Sequence, residues 1–347
     1  MLILTLLICF LASFSLTPLI KKLALAVGAV DRPSERKVHA TVMARLGGLA
    51  IFISFILGIL IAHPPNKTVW PIVLGASVII LTGFLDDKFE LSPKLKLLGQ
   101  IAAALIIVFM GDIQVNFINL PFNGRLELEW LSVPVTVIWI LAITNSINLI
   151  DGLDGLAAGV SSIVLITISI MAMIMGDAFV LMIASVTLFS TLGFLFHNFY
   201  PAKIFMGDTG ALFLGFIIAV VSLLGFKNVT MFSLVVPVII LGVPISDTIF
   251  AIIRRIVHKQ PISLADKSHL HHCLLRFGFS HQKTVLIIYA MSSVFGLAAI
   301  IFSTSTLWGS MIILALLTIG IELVVESIGL VSQNYKPVLN AIKRPQK

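Results

Sequence analysis

Between Leu131 and Met175 the chain runs for 45 residues with only two charges, Asp151 and Asp154. As a single helix this stretch would reach roughly 67 Å, about twice a hydrocarbon core of ~30 Å. It therefore reads as two membrane spans that meet at a membrane surface, with Asn145-Ser-Ile-Asn-Leu-Ile-Asp-Gly-Leu-Asp-Gly at the turn. Carboxylates at membrane depth cost about 2.5–3.5 kcal/mol each on insertion scales, so they are kept for work or for a wet pocket. Asn145, Asn148, Asp151 and Asp154 fall at i, i+3, i+6 and i+9, a spacing that would line all four along one helical side. The neighbouring Gly155-x-x-x-Gly159 step reads as helix packing rather than ligand chemistry.

The rest of the chain obeys the same constraint. Of its 347 residues 59% are hydrophobic and 11% charged, against about 25% charged in a soluble domain. The expected class is an all-α polytopic membrane protein, with one membrane domain over 1–331 and a short basic cytoplasmic tail over 332–347. No hydrophilic stretch is long enough to bury a separate soluble core. Cys9 and Cys273 fall in different surroundings and suggest no disulfide framework. The pI near 9.5 does not call for nucleic acid, because basic loops in a membrane protein record topology and attraction to anionic lipid.

Hydropathy divides the chain into spans at Leu2–Ile20, Gly47–Ala62, Val69–Leu85, Leu97–Met110, Leu131–Ile150, Leu156–Met175, Phe179–Phe196, Ala211–Phe226 and Val229–Ile253. Val285–Leu330 is too long for one span and breaks near Ser303–Gly309 into two, which gives eleven. The first span lacks the basic leading region of a signal peptide; its lysines, Lys21 and Lys22, follow it. If the spans alternate, 20 of the 23 Lys and Arg fall on one side, and only Lys67, Arg125 and Lys227 on the other. By the positive-inside rule the N-terminus is then outside and the C-terminus cytoplasmic. The outer loop 112–130, centred on Pro121-Phe-Asn-Gly124, reads as a small hairpin.

The polar residues sort the same way. Asp86, Asp87, Asp151, Asp154, Asp208, Asp247 and seven of the eight histidines, all but His63, lie on the cytoplasmic side. A transporter would hold its ionisable groups nearer the bilayer centre, between broken helices. Groups collected at helix ends on one face suit an enzyme that takes one soluble substrate and one lipid. Asp86-Asp87 closes a span, and Leu91-Ser-Pro-Lys94 opens the next; adjacent carboxylates suit a divalent cation or proton transfer. Phe205-Met-Gly-Asp208-Thr-Gly210 sets a carboxylate between glycines, which let backbone N–H groups approach phosphate while the carboxylate holds Mg²⁺. His269-Leu-His271-His272 fits zinc poorly, with no following Glu and only Cys273 as a fourth ligand; pyrophosphate oxygens are the better partner. Arg45-Leu-Gly47-Gly48, at a helix start, offers an anion site.

Together, Asn145-x-x-Asn-Leu-Ile-Asp-Gly-Leu-Asp-Gly-Leu-Ala, Asp86-Asp87, Phe205-Met-Gly-Asp-Thr-Gly, His269-Leu-His-His and the opening Asp31-x-Pro-x-x-Arg-Lys-x-His39 with Arg45-x-Gly-Gly48 resemble the polyprenyl-phosphate N-acetylhexosamine-1-phosphate transferase family. The likeness runs from about residue 20 to 285. The His-x-His-His form is similar to the branch that transfers N-acetylglucosamine-1-phosphate in teichoic acid, O-antigen or related cell-surface glycan pathways. The muramoyl-pentapeptide branch carries three consecutive histidines and an acidic residue. Ala44 and Cys273 depart from many members, which bears on sugar or acceptor preference.

The resemblance implies a bacterial plasma-membrane enzyme whose site faces the cytoplasm. Its substrates would be a UDP-N-acetylhexosamine and undecaprenyl phosphate drawn from membrane lipid, its cofactor Mg²⁺ (or Mn²⁺), and its assembly a homodimer. It assigns catalysis to Asp86, Asp87 and Asp208, and metal binding to Asp208 with Asp87. Substrate binding falls to Arg36, Lys37, His39, Arg45, Lys94, Asn145, Asn148, Asp151, Asp154, His269, His271 and His272. A polyprenyl-linked sugar flippase and a muramoyl-pentapeptide transferase are the competing readings.

Overall fold

Thirteen α-helices carry the structure, a computed structural model that describes residues 1–31, 42–120, 124–226, 234–257, 259, 269–330, 337 and 340. In chain order the helices are α1 (Leu2–Val27), α2 (Gly47–Ala62), α3 (Val69–Phe89), α4 (Pro93–Phe109), α5 (Ser132–Leu149), α6 (Leu156–Met175), α7 (Ala178–Asn198), α8 (Gly207–Phe226), α9 (Val235–Ile240), α10 (Gly242–Val257), α11 (Leu270–Arg276), α12 (His281–Thr304) and α13 (Leu307–Ile328). Eight of them, α1, α3, α5–α8, α12 and α13, are long and apolar enough to cross a bilayer, while α2 has only 16 residues. Leu4, Leu11, Trp70, Leu81, Ile138 and Leu316 are each more than half exposed on the outside of the bundle. Water would not tolerate so wide an apolar surface, and lipid does. The chain is a multi-pass membrane protein.

Two antiparallel ribbons qualify the all-α expectation. Strand β1 (Val30–Asp31) pairs with β2 (Met43–Ala44), and β3 (Phe117–Leu120) pairs with β4 (Gly124–Glu127), the antiparallel pairing expected of a hairpin in loop 112–130.

Three boundaries differ from the sequence reading. First, Val229–Ile253 is not one continuous helix: among the described residues α9 ends at Ile240 and α10 starts at Gly242, between Pro237 and Pro244, each of which removes a backbone donor from the helical ladder. Second, α4 starts earlier than expected, at Pro93. Ser92 caps it by accepting from Leu95 N at 3.4 Å, and proline is favoured at the first helical position. Third, the four Asn and Asp residues do not share a helical side. The α5 helix stops at Leu149, so Asn145 and Asn148 are helical and Asp151 and Asp154 sit in the connection to α6, where Gly155 adopts φ +75°. In that conformation glycine is unhindered.

The bundle is built around α8. It packs against α2, α3, α5, α6 and α7, and 89% of its membrane window is buried. Close approach rests on glycine: a side chain on Gly48 would collide with the Gly210 backbone, and one on Gly83 with the Thr209 backbone. Small residues let membrane helices pack closely where no hydrophobic force draws them together. The ends of α3, α5 and α7 and the starts of α4, α6, α8 and α12 gather at one end of the bundle.

Candidate active site

Asp86 and Asp87 occupy the last turn of α3 and face in different directions, as adjacent helical residues about 100° apart must. Asp87 is buried and points at the start of α8. Its Oδ1 accepts from Asp208 N at 2.9 Å, and its Oδ2 accepts from Thr209 N at 2.9 Å and from Thr209 Oγ1 at 2.6 Å. It thus performs from another helix the task of an N-cap, meeting donors that a helix leaves unsatisfied. The Arg45 guanidinium stands 3.5 Å from the same Oδ1 and 3.9 Å from Asp31. Gly207, at φ +72°, has the Arg45 carbonyl and the Asp87 carboxylate pressed against its Cα, so only glycine fits there.

Arg45 is held from behind as well. Arg45 N donates to Ala29 O, Phe205 N to Ala44 O, Gly47 N to Phe205 O and Gly48 N to Met206 O, at 2.9–3.1 Å. Those last two bonds correct the anion-site expectation at Gly47-Gly48: the helix-start donors are spent on the Phe205–Met206 backbone. The guanidinium is what this segment offers an anion.

Asp86 faces a lysine that the motif reading passed over. Lys96 Nζ donates to Asp208 Oδ2 at 2.5 Å, Asp86 Oδ2 at 3.0 Å and Asn148 Oδ1 at 3.3 Å. Asn148 Nδ2 in turn donates to Asp208 Oδ1 at 2.6 Å. Lys94, the lysine expected here, is exposed on another side of α4. Asn145 is close by but exchanges two hydrogen bonds with buried Gln100, at 2.7 and 3.3 Å, and so ties α5 to α4.

This centre is a set of hard oxygens. Among the described residues no group of three or more His, Cys, Asp or Glu is placed to hold a metal ion by itself. Two carboxylates and an amide oxygen nevertheless suit Mg²⁺, which takes one or two carboxylates and completes its shell with water and phosphate. The Lys96 ammonium, encircled by Asp86, Asp208 and Asn148, marks the spot as one that attracts a cation. Residues Asp208, Asp86 and Asn148 fit the ion, whereas Asp87 has both oxygens engaged by the start of α8.

Beside it opens a cavity of about 330 Å³ lined by Arg45, Asp151, Asp154, Tyr200, Phe205, His272 and His281, among others. Asp151 lies at its wall. Burial, then the Asp208 charge, pushes its carboxyl up to about 7, with Arg45 opposing and Asp87 and Asp154 adding to the rise. Asp154 is fixed at both ends: Oδ2 accepts from Ala202 N at 2.9 Å, and its N–H donates to His281 Nε2 at 3.0 Å. Tyr200 lies over the His281 ring at 4.5 Å. Asn198 accepts from Gly155 N and donates to Ile204 O, which joins the Asp loop to the approach to α8. His281 and Asn198 carry no motif, and nothing local in the sequence marks them.

The histidine segment divides. His272 lines the cavity, whereas His271 is buried with its ring against Gly152. Burial, followed by His272, holds the His271 imidazole down at about 3 despite Asp247, with His269 and His281 adding to the effect, an environment that disfavours its charged form. His269 begins α11 and is also buried. Arg36, Lys37 and His39 lie outside the described residues.

Comparison with known proteins identifies the family. Residues 69–226 match the family model for glycosyl transferase family 4. Over 95% of this chain and 92% of the relative, the sequence is 52% identical to a probable undecaprenyl-phosphate N-acetylglucosaminyl 1-phosphate transferase of Bacillus subtilis. It is 35% identical, over 89% of this chain and 86% of the relative, to a decaprenyl-phosphate N-acetylglucosaminephosphotransferase of Mycobacterium leprae. A phospho-N-acetylmuramoyl-pentapeptide-transferase of Staphylococcus aureus is 31% identical over 85% and 96%. With its carboxylate centre, its membrane bundle and relatives matched along nearly the whole chain, the protein belongs to glycosyl transferase family 4, as a transferase of the polyprenyl-phosphate N-acetylhexosamine-1-phosphate type.

Proposed function

We propose that the chain transfers N-acetylglucosamine-1-phosphate, or a close N-acetylhexosamine-1-phosphate, from its UDP-sugar to undecaprenyl phosphate. The observation that carries this reading is the Asp86–Lys96–Asn148–Asp208 cluster opening beside a polar cavity at one end of a membrane bundle. An oxygen of the lipid phosphate attacks the sugar-bearing phosphorus, the bond to the uridylyl phosphate breaks, and UMP leaves. The product is a lipid-linked pyrophosphoryl sugar, the first membrane step of a cell-surface glycan pathway.

The obstacle is the repulsion of one phosphate by another. Fixed positive charge aimed at the reacting oxygens lowers it. Arg45 and Lys96 supply such charge, and His272 lines the cavity that would take the nucleotide along the Asp151–Asp154 loop. Mg²⁺ held by Asp208, Asp86 and Asn148 would add neutralisation of the diphosphate. Asp86 steers or deprotonates the lipid phosphate. Asp87 shapes the site by fixing Asp208. Direct attack is favoured over an aspartyl-phosphate intermediate, since Asp87 could act as nucleophile only by uncapping α8. A phosphorylated aspartate trapped from UDP-sugar without acceptor would reverse this preference.

The topology proposed with it is eleven spans in a bacterial inner membrane, N-terminus outside, C-terminus and site cytoplasmic, a reading supported by the 20-to-3 division of basic residues. The test is purified protein in detergent with undecaprenyl phosphate, Mg²⁺ and a panel of UDP-sugars. UMP release that needs both the lipid and UDP-N-acetylglucosamine is expected. Release only with a UDP-muramoyl pentapeptide would move the chain to that donor, and no release with any donor would end the transferase mechanism described here.

A further inference from the structure

Asp247 lies in α10 with 2% of its surface exposed, and nothing in the transfer described above calls on it. A buried carboxylate is costly unless its lone pairs are met. Here Oδ1 accepts from Leu270 N and Oδ2 from His269 Nδ1, both at 2.8 Å. The first bond caps α11, whose own N-cap residue, His269, supplies no side-chain cap. The second sets chemistry: a carboxylate acceptor requires the proton on Nδ1, so neutral His269 carries its lone pair on Nε2. That nitrogen has no partner among the described residues. The His269 ring lies 2° from parallel with the His271 ring, centroids 6.0 Å apart, and His271 packs on Gly152 beside Asp151. A line of contacts therefore runs from Asp247 through two imidazoles to the Asp151 loop.

We propose that Asp247 is a positioning residue for the transfer, fixing buried His269 in the Nδ1–H tautomer and seating the His269-Leu-His-His segment so that His272 lines the cavity. This rests on the phosphosugar-transfer reading. Orientation of an imidazole by a carboxylate behind it is a general device in metal and hydrolase sites.

Asp247→Asn separates the two bonds. Its amide oxygen still accepts from Leu270 N, while its NH₂ faces His269 Nδ1 and drives the imidazole proton to Nε2. Turnover is expected to fall at least about 10-fold and on the order of 100-fold. KM for the UDP-sugar should stay within about 3-fold and the thermal midpoint within a few degrees, since the cap survives. Asp247→Glu should restore part of the loss, and adding Asp247→Asn to His269→Asn should cost nothing more. Turnover of D247N within about 3-fold of the parent, or losses that multiply in the double variant, overturns the proposal. Should D247N fail to accumulate in the membrane, H269N alone decides, because near-parental turnover would equally overturn it. Nitrogen chemical shifts of labelled His269 read the tautomer without turnover: the parent should show Nδ1–H, and Nε2–H there refutes the assignment. A parent that releases no UMP but shows the Nδ1–H tautomer would fault the transfer reading and not the carboxylate–imidazole pairing.

Discussion

Helices α8 and α13 are matched in length and hydropathy and opposite in burial. They have 20 and 22 residues and mean hydropathies of 2.0 and 2.3, yet 89% of the α8 window is buried and only 11% of that of α13. Hydropathy puts a helix into the bilayer and says nothing of its place within the bundle, because lipid tails are as apolar as leucine. Small residues and a polar first turn distinguish α8. Gly207, Gly210 and Gly215 touch other backbones or side chains, and Asp208 and Thr209 are gripped by Asp87. Nothing stands near Gly320 of α13, and none of its side chains reaches the candidate site. The chemistry is concentrated where packing is densest.

That contrast can be broken by mutation, starting with the largest expected effect. Asp208→Asn removes a charge from the centre while keeping the shape, and UMP release should fall about 10³-fold or more with the thermal midpoint almost unchanged. A variant retaining a tenth of parental turnover would take Asp208 out of the reaction. Asp87→Asn places NH₂ against helix-start donors, and should cost both activity, about 10²-fold, and stability, about 1–3 kcal/mol. Loss of activity at full stability would mean that Asp87 acts on substrate directly.

Lys96 and Lys94 offer a sharper control because they lie two residues apart. Lys96→Met should lower turnover about 10²-fold, whereas Lys94→Met should change it less than about 2-fold. Equal losses would show that the lysine reaching Asp208 is not special.

The pH dependence follows from Asp151 and His271. The Asp151 carboxyl is raised to about 7, so the folded state holds a proton that the unfolded state has lost, and stability falls as pH rises from the usual carboxylate range toward 7. His271 is depressed to about 3, so its contribution is complete above the usual imidazole range and is lost as pH drops through it toward 3. Asp151→Asn should remove a fall in thermal midpoint between the carboxylate range and about pH 7, and His271→Gln should remove an opposing rise between about pH 3 and the imidazole range; unchanged profiles would assign these groups ordinary environments. At the bottom of the scale, Trp308→Ala on α13, where the ring is 76% exposed, should alter turnover less than about 2-fold in detergent.

The helices and the acidic motifs were legible in the sequence because both are local: a span is a run of apolar residues, and a motif is a short string. What lay hidden was pairing across distance. Lys96 meets Asp208 over 112 positions and Asp154 meets His281 over 127. No period within either segment encodes the encounter. The different fates of Asp86 and Asp87 come from one step of helical rotation, which sequence supplies in principle, but which side faces α8 is decided by Gly83 packing on Thr209. The break after α9 was written in Pro237, Gly242 and Pro244, and it was masked by the unbroken hydrophobicity around them.

The grip of Asp87 on the first turn of α8 has a consequence for how the protein comes to exist. A chain in which α3 has not yet docked leaves the leading amides of α8 without the carboxylate that meets them here. Docking of α3 on the central helix and assembly of the candidate site are thus linked. A newly made copy that has threaded its helices wrongly lacks the Asp87 grip that sets Asp208 in place, so the candidate site doubles as the molecule's own inspection point.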